Sequence, residues 1–161
     1  GGKGLPPVTL LYSTGVNTKL DAEAAQEMWL KNLGVNVELR NQEWKVFSST
    51  RIAGDYQIAA AAWVGDYFDP MTFVDYFLSY GTHNYGKYAN PAYDALVEKA
   101  QNSNDQNIRM AAMHEAEKIF MDEMGLAPHL FPRSISARSP KLKNVICPGN
   151  QAYDFTYAYL E

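Results

Sequence analysis

This sequence contains very little cysteine and shows no spacing of residues that is typical of a metal site. It has one cysteine, Cys147, and its three histidines (His83, His114 and His129) do not have the spacing of a zinc helix or a zinc finger. A single cysteine cannot form a disulfide within the chain or build a thiolate metal site. We therefore predict neither a metal site nor a cofactor.

Long apolar runs and an excess of positive charge are missing too. No apolar run approaches the roughly 20 residues needed to span a bilayer. Residues 1–7 (GGKGLPP) lack the apolar segment of a signal peptide, and no Met precedes them, so we expect a processed or excised part of a longer chain. The net charge of −4 is not that of a nucleic-acid binder, and we predict no nucleic-acid partner.

Signatures of catalysis are equally scarce. The sequence contains neither a Gly-x-Ser-x-Gly elbow nor a glycine-rich phosphate loop. Glu43, Asp66 and Asp69 could act as paired acids in glycoside hydrolysis, but Asp69 precedes Pro70 and fits a turn or helix cap better. We predict no catalytic residues and no enzyme, and keep an acid-based hydrolase as a weaker alternative.

The composition is that of a globular domain rich in aromatic residues. Of the 161 residues, 47% are hydrophobic and 20% are charged, which suits one domain over residues 1–161. Aromatic residues make up 13% of the chain, including 11 Tyr and 3 Trp. This share indicates surfaces that stack on a ligand in addition to a core.

The order of predicted elements is that of an α/β fold. Strands are predicted at 8–12, 35–39 and 56–64, and short strand-like pieces at 128–133, 134–137 and 155–159. Helices are predicted at 17–33, 44–53, 71–80 and 91–101, and a last one ends at Gly125. The first strand, helix and strand should form a right-handed parallel βαβ unit. Asn17 or Thr18 is expected to cap the first helix, which would bury a stripe formed by Leu20, Ala24 and Met28 with either Ala25 or Trp29.

The segment AAAAWVGDYFDP, residues 59–70, is the most informative part of the chain. It reads as the end of a buried strand followed by a loop in which Asp66 lies among Trp63, Tyr67 and Phe68. Ligands of open α/β sheets bind at the carboxyl ends of the strands, where Trp44 is also predicted. An acid among aromatic faces suits a cationic or amine group, so we predict a ligand-binding site here.

Several segments resemble one receptor family. They are MWLKNLGVNV (28–37), NQEWKVF (41–47), TRIAGDY (50–56) and WVGDYFDPMTF (63–73), and the similarity continues through 88–96. In these segments the chain resembles the oligopeptide-binding proteins, the extracytoplasmic receptors of peptide ABC transporters. The resemblance implies a single C-terminal lobe of a larger two-lobed, type II periplasmic-binding-protein-like fold, with a mixed sheet flanked by helices.

The resemblance also implies partners and a location. The expected partners are an oligopeptide ligand, the missing first lobe of the same receptor and the membrane permease of an ABC transporter. The expected location is extracytoplasmic, in the periplasm or lipid-anchored at the cell surface. Relatives that bind dipeptides, murein peptides, nickel chelates or haem keep other solutes open, and a docking module that uses the helix at 105–123 is a third alternative.

The implied ligand-binding residues are Trp44, Arg51, Trp63, Val64, Gly65, Asp66, Tyr67, His83 and Asn84. In the family, the acid matching Asp66 forms a salt bridge with the α-ammonium group of the peptide. The backbone of the three residues before it pairs with the peptide main chain as an added strand. Trp44 and Arg51 match positions that line side-chain pockets, while His83 and Asn84 match positions of polar contacts.

The sequence departs from the family pattern at three positions. Val64 stands where some members have a disulfide-bonded cysteine, Ala60 where some have an arginine, and Thr18 where some have a histidine. The arginine and histidine lie near the ligand in those members. The preferred peptide length and the capture of the peptide carboxylate therefore stay open.

Overall fold

The computed structural model describes residues 2–132, 135–147 and 153–161. The helices are α1 (Val16–Leu33), α2 (Trp44–Ala53), α3 (Met71–Val74), α4 (Pro91–Gln101) and α5 (Gln106–Asp122), and a 3-10 turn (Asp75–Phe77) follows α3. The strands are β1 (Val8–Ser13), β2 (Val37–Gln42), β3 (Ile58–Ala59), β4 (Leu142–Lys143) and β5 (Tyr159–Leu160).

The chain divides into two compact units. The first unit runs to Trp63 and includes Tyr85–Lys87, and the second unit comprises Val64–Asn84 and Tyr88–Glu161. Each unit has its own cluster of buried apolar side chains. The expectation that residues 1–161 form one domain, the C-terminal lobe of a larger protein, stays a prediction.

The first unit is built on a three-stranded sheet in the order β2-β1-β3, which is parallel throughout and not mixed as the resemblance implied. β1 pairs with β2 along its whole length, from Val8 opposite Val37 to Ser13 opposite Gln42. This confirms the predicted parallel βαβ unit. Because the third strand joins the other side of β1, right-handed connections place α1 and α2 on opposite faces of the sheet.

Helix α1 contacts the sheet through small residues. Its buried side chains are those of Ala22 and Ala25, with Trp29 partly buried beside them. The predicted stripe was wrong for Leu20, Ala24 and Met28, which are all exposed. The helix carries apolar residues on more than one face, so its periodicity alone could not select the face that the sheet covers.

The observed ends of α1 and α2 agree with the predicted C-terminal glycines but not with the predicted N-terminal cap of α1. Gly34 and Gly54 end the two helices with φ of 67° and 76°, a left-handed conformation that favours glycine, as predicted. The predicted cap of α1 by Asn17 or Thr18 was wrong, because the helix already begins at Val16 after Gly15. The hydroxyl of Thr18 instead donates back to the carbonyls of Ser13 and Gly15.

Strand β3 is much shorter than the predicted strand at 56–64. Only Ile58 and Ala59 pair with β1, and the Ala60 N–H adds one further hydrogen bond, to the carbonyl of Leu11. Alanine side chains bury little apolar area and do not favour strands, so they hold the rest of the segment to the sheet only weakly. Trp63 therefore lies beyond the sheet and does not end a strand.

The second unit is a helical core around α4 and α5. Asn90 caps α4 by accepting hydrogen bonds from the N–H groups of Ala92 and Tyr93, and Pro91 takes the first position, as predicted. The core residues are Met71, Leu78, Tyr93, Val97, Ala100, Ala112, Met113, Ala116 and Phe120. The predicted helix at 71–80 is only α3 and the 3-10 turn after it.

The last part of the chain has little regular structure. β4 and β5 form a separate antiparallel pair, with Leu142 opposite Leu160. Residues 128–132 and 135–137 contain no strand, contrary to prediction, while Arg133 and Ser134 lie outside the described residues. Of the predicted strand at 155–159, only Tyr159 belongs to a strand. None of the helices in the described ranges is both long and apolar enough to cross a bilayer.

Candidate functional site

The predicted ligand residues are shared between the two units. Trp44, Arg51 and Trp63 belong to the first unit, and Val64, Gly65, Asp66, Tyr67, His83 and Asn84 belong to the second. Each group has a local geometry of its own.

In the first unit, Trp44 lies where the sequence predicts, directly after a strand. β2 ends at Gln42, and Glu43 then caps α2 by accepting a hydrogen bond from the Lys45 N–H at 3.0 Å. Trp44 is the first residue of α2 and is 61% exposed. The cap fixes the start of the helix and leaves the indole available to a ligand, while Glu43 is engaged as a cap.

Arg51 lies close to two aromatic rings of the same unit. Its guanidinium carbon is 5.0 Å from the ring centroid of Tyr85 and 5.6 Å from that of Phe47. The ring of Trp44 is 5.8 Å from the ring of Phe47, so Phe47 links the two predicted residues. Phe47 and Tyr85 were not predicted from the sequence, although Trp44, Phe47 and Arg51 recur at the spacing of one helix face. At these distances the guanidinium makes cation–π contacts with both rings.

An unpaired acceptor lies near the carboxyl end of β2. The Gln42 side-chain oxygen Oε1 is buried, and no hydrogen-bond partner for it is found within the described residues. Beside it, the Thr14 N–H donates to the main-chain carbonyl of Gln42 at 2.7 Å, and the Thr14 hydroxyl donates to Asn41 Oδ1 at 2.9 Å. Buried acceptors of this kind generally receive a hydrogen bond from water or a ligand. The sequence analysis did not identify this polar group.

In the second unit, the loop that carries Asp66 is packed against the start of α3. The Asp66 N–H donates to the hydroxyl of Thr72 at 3.1 Å, and Thr72 is buried. A Cβ at Gly65 would lie 3.1 Å from Thr72 Cγ2 and 3.3 Å from the ring of Phe73, so a larger residue would push the loop away. The main chain is thereby fixed, while Val64 and Asp66 remain exposed.

Negative charge gathers around Asp66. Burial raises the pKa of Asp75, and the charge of Asp66 raises it further against the opposing effect of His83. Burial also raises the pKa of Tyr67, and Asp75, Asp69 and Asp66 add to this rise. Within the described residues, the carboxylate of Asp66 has no hydrogen-bond or ion-pair partner. The site can thus attract a cation, and Asp75 is a contributor that the sequence analysis missed.

Asp69 has the turn role that its place before Pro70 predicts. Its Oδ1 accepts the Met71 N–H at 2.8 Å, and its Oδ2 lies 2.8 Å from Arg109 Nη2. The Met71 N–H lowers the pKa of Asp69 most, burial opposes this effect, and Arg109 lowers the pKa further, so it lies below its ordinary value. Asp69 and Glu43 are both engaged in local structure, which leaves the three-acid hydrolase alternative without its proposed arrangement.

His83 and Asn84 differ sharply in exposure. The ring of His83 is exposed and stacks on Tyr76, with centroids 5.6 Å apart. Asn84 is 8% exposed, and its amide donates to the carbonyls of Leu78 at 3.1 Å and Tyr88 at 2.7 Å. Its Oδ1 accepts the Tyr88 N–H at 3.0 Å. The side chain of Asn84 therefore holds the loop in shape, and His83 offers the exposed polar group.

Metal chemistry has no support in the described ranges. No group of three or more His, Cys, Asp or Glu side chains is arranged there to hold a metal ion. The expectations of no metal site and no cofactor stay predictions.

The comparisons with known proteins all point to the same family. The model of the family described as bacterial extracellular solute-binding proteins, family 5 middle, matches residues 1–85. The oligopeptide-binding protein OppA of Bacillus subtilis (strain 168) is 39% identical over 158 residues, which are 98% of this chain and 29% of that protein. The periplasmic murein peptide-binding protein MppA of Escherichia coli (strain K12) is 42% identical over 121 residues, 75% of this chain and 22% of that protein.

Solved structures agree with the sequence relatives. The unliganded open form of the murein tripeptide binding protein MppA superposes with a TM-score of 0.77 at 41% identity, over 80% of this chain and 25% of that one. The Haemophilus influenzae OppA complex with RPPGFSPFR gives a TM-score of 0.74 at 39% identity, over 76% of this chain and 25% of that one. These likenesses confirm the predicted fold class. The chain spans between a fifth and a third of the length of these relatives.

Proposed function

We propose, from the premise that this chain belongs to the bacterial extracellular solute-binding proteins of family 5, that it is one lobe of a peptide receptor. The lobe binds a peptide by its α-ammonium group and its main chain. The receptor delivers the peptide to the membrane permease of an ABC transporter, and its other lobe closes over the ligand. It works outside the cytoplasm, in the periplasm or anchored by lipid at the cell surface.

The observation that carries this proposal is the exposed carboxylate of Asp66 on a fixed main chain. The main-chain N–H of Asp66 donates to the hydroxyl of the buried Thr72, and this hydrogen bond holds the main chain that carries the carboxylate. Asp75 adds a second negative charge nearby, since the charge of Asp66 raises its pKa. Two neighbouring acids favour a cation such as a peptide ammonium group over an anionic ligand.

Other predicted site residues suit the rest of a peptide. The main chain of Trp63, Val64 and Gly65 is proposed to pair with the peptide backbone as an added strand, which gives affinity without selecting side chains. In the first unit, Trp44 and the Arg51 group are proposed to receive peptide side chains, because an indole and a stacked guanidinium accept varied apolar and polar groups. The solved complex of a relative with RPPGFSPFR supports peptides as the ligand class.

The isolated lobe should bind weakly. A receptor with a micromolar Kd gains about −8 kcal/mol, and half of the contacts would leave about −4 kcal/mol, a millimolar Kd. An exposed ion pair between Asp66 and an ammonium group contributes only about 0–1 kcal/mol in water. The pair becomes valuable when the second lobe excludes solvent.

An NMR titration of the 161-residue chain tests the proposal. The ligands are tri-alanine and N-acetyl-tri-alanine, which differ only at the N-terminus, an ammonium group in the first and an uncharged acetamide in the second. We expect shifts at residues 63–67 and at Trp44 and Arg51 in the millimolar range, with a preference for the free amine of up to about fivefold, as an exposed ion pair allows.

Two variants locate the effect. Asp66→Asn should abolish the preference for the free amine, while Asp21→Asn, which removes the same charge from an exposed site on α1, should keep it. Equal binding of both peptides by the wild type, or an unchanged preference in Asp66→Asn, would refute amine capture by Asp66.

A further inference from the structure

Arg109 ties the loop of Asp66 to the helical core of the second unit. It lies on α5, and only 19% of its side chain is exposed. One guanidinium nitrogen, Nη2, is 2.8 Å from Asp69 Oδ2, and the other, Nη1, donates to the carbonyl of Ala100 in the last turn of α4 at 2.9 Å. A planar guanidinium can hold both partners at once, which a lysine ammonium on its flexible stem cannot do as well.

A short series of hydrogen bonds leads from Arg109 to Asp66. Asp69 Oδ1 accepts the Met71 N–H at 2.8 Å, and the Asp69 carbonyl accepts the Thr72 N–H at 3.2 Å. The Thr72 hydroxyl then accepts the N–H of Asp66 at 3.1 Å. The position of Asp66 therefore depends on the same turn that Arg109 holds through Asp69.

Arg109 also separates the roles of two nearby acids. Asp69 and Asp66 both lie close enough to Tyr67 for their charges to raise its pKa, and Arg109 lowers it. The ion pair occupies Asp69, whose pKa is held down by the Met71 N–H and then by Arg109. Without the guanidinium, Asp69 would be a second acid able to attract a cation in the same loop.

We propose that Arg109 is a positioning residue for the amine site: it fixes the turn that presents Asp66 and keeps Asp69 from competing for the ligand. This inference rests on the proposed function, because it concerns how the same ammonium group is recognised. Arg109 itself acts through Asp69 and Thr72 and needs no contact with the peptide.

The test compares Arg109→Met, Arg109→Lys and Lys118→Met with the wild-type chain. Met keeps the length and apolar stem of the side chain but loses both hydrogen bonds and the charge. Lys118→Met is a matched control, since it removes a positive charge from the exposed Lys118–Asp122 pair on the same helix. The first readout is hydrogen exchange of the Asp66 amide, and the second is the preference for tri-alanine over N-acetyl-tri-alanine.

We expect Arg109→Met to speed exchange of the Asp66 amide by about fivefold to tenfold, as the loss of one hydrogen bond allows. Its preference for the free amine at Asp66, read from the shifts of residues 63–67, should fall to less than half of the wild-type ratio, because the turn no longer holds Asp66 in place and the released Asp69 takes part of the ammonium binding. Both readouts of Arg109→Lys should lie between those of Arg109→Met and those of the wild type, because lysine restores the charge but cannot hold Asp69 and the Ala100 carbonyl together as well as arginine does. Lys118→Met should match the wild type in both readouts. A purely structural role would lower the melting temperature and leave the amine preference unchanged.

The outcomes separate this inference from the proposed function. If the wild type prefers the free amine and Arg109→Met keeps both that preference and slow exchange at Asp66, the inference is wrong. If the wild type has no amine preference but Arg109→Met still speeds exchange, the proposed function fails and the positioning of Asp66 by Arg109 stands. If Arg109→Met does not fold, Arg109→Lys decides, since wild-type values in both readouts would overturn the inference.

Discussion

Replacing Asn84 with Asp would test the network that shapes the loop before Tyr88. Asn84 is 8% exposed, and its amide group donates to two carbonyls, those of Leu78 and Tyr88. The Asn84→Asp change keeps the size of the side chain and its ability to accept the Tyr88 N–H. It removes both donors and places a carboxylate against two carbonyl oxygens.

The expected loss of stability follows from these contacts. The Tyr88 carbonyl loses its donor, which costs about 1–3 kcal/mol, whereas the Leu78 carbonyl keeps the Gly81 N–H at 2.7 Å, so the variant should lose at least about 1–3 kcal/mol near neutral pH. That is a large part of the total stability of a domain, which is about 5–15 kcal/mol. Burial and the two carbonyls favour the protonated acid, which raises the pKa of the new carboxyl in the folded state. A raised folded pKa gives stability at low pH that is lost as pH rises, so the defect should shrink on acidification.

Urea unfolding, measured at several pH values, gives the free energy of unfolding of the wild type and the variant. Asn104→Asp is the matched control, because Asn104 is exposed in the same unit and the change should stay within about 0.5 kcal/mol. A loss below about 0.5 kcal/mol for Asn84→Asp at neutral pH would show that the buried network does not hold the loop.

Two further predictions concern the second unit. Phe120 is 5% exposed, and its ring packs against that of Tyr88 with centroids 4.8 Å apart. Phe120→Ala should therefore lower the free energy of unfolding, measured in urea, by about 3–5 kcal/mol. Phe131 is 98% exposed, so Phe131→Ala should lower it by less than about 0.5 kcal/mol. Equal losses for the two would contradict the assigned core. Hydrogen bonds from the Tyr88 hydroxyl and the Asn90 amide hold the pKa of Glu123 below its ordinary 4.5. A lowered folded pKa gives stability that is present above the unfolded value and lost as pH falls, so the gap in unfolding midpoints between wild type and Glu123→Gln should narrow in acid. A gap that stays constant down to about pH 2 would refute this role of Glu123.

Local backbone signals explain which elements could be predicted. Gly34 and Gly54 end their helices in left-handed conformations, and Asn90 with Pro91 starts α4, because these residues act within a few positions of themselves. The parallel pairing of β1 and β2 also follows from local patterns, since a strand, a helix and a strand in short succession allow few connections. Strand β3 was overestimated, because its length depends on whether β1 holds the alanine-rich segment.

The candidate site divides in the same way. The sequence alone determined the acid among aromatic residues at Asp66, the family resemblance and the turn role of Asp69, since these depend on neighbouring residue types. Only the tertiary structure decided that Arg109 holds Asp69, that Tyr85 contacts Arg51, and that the side chain of Asn84 is used within the loop. Such contacts join residues far apart along the chain or turn a side chain inward, and no periodicity or spacing in a single sequence encodes which distant groups will meet.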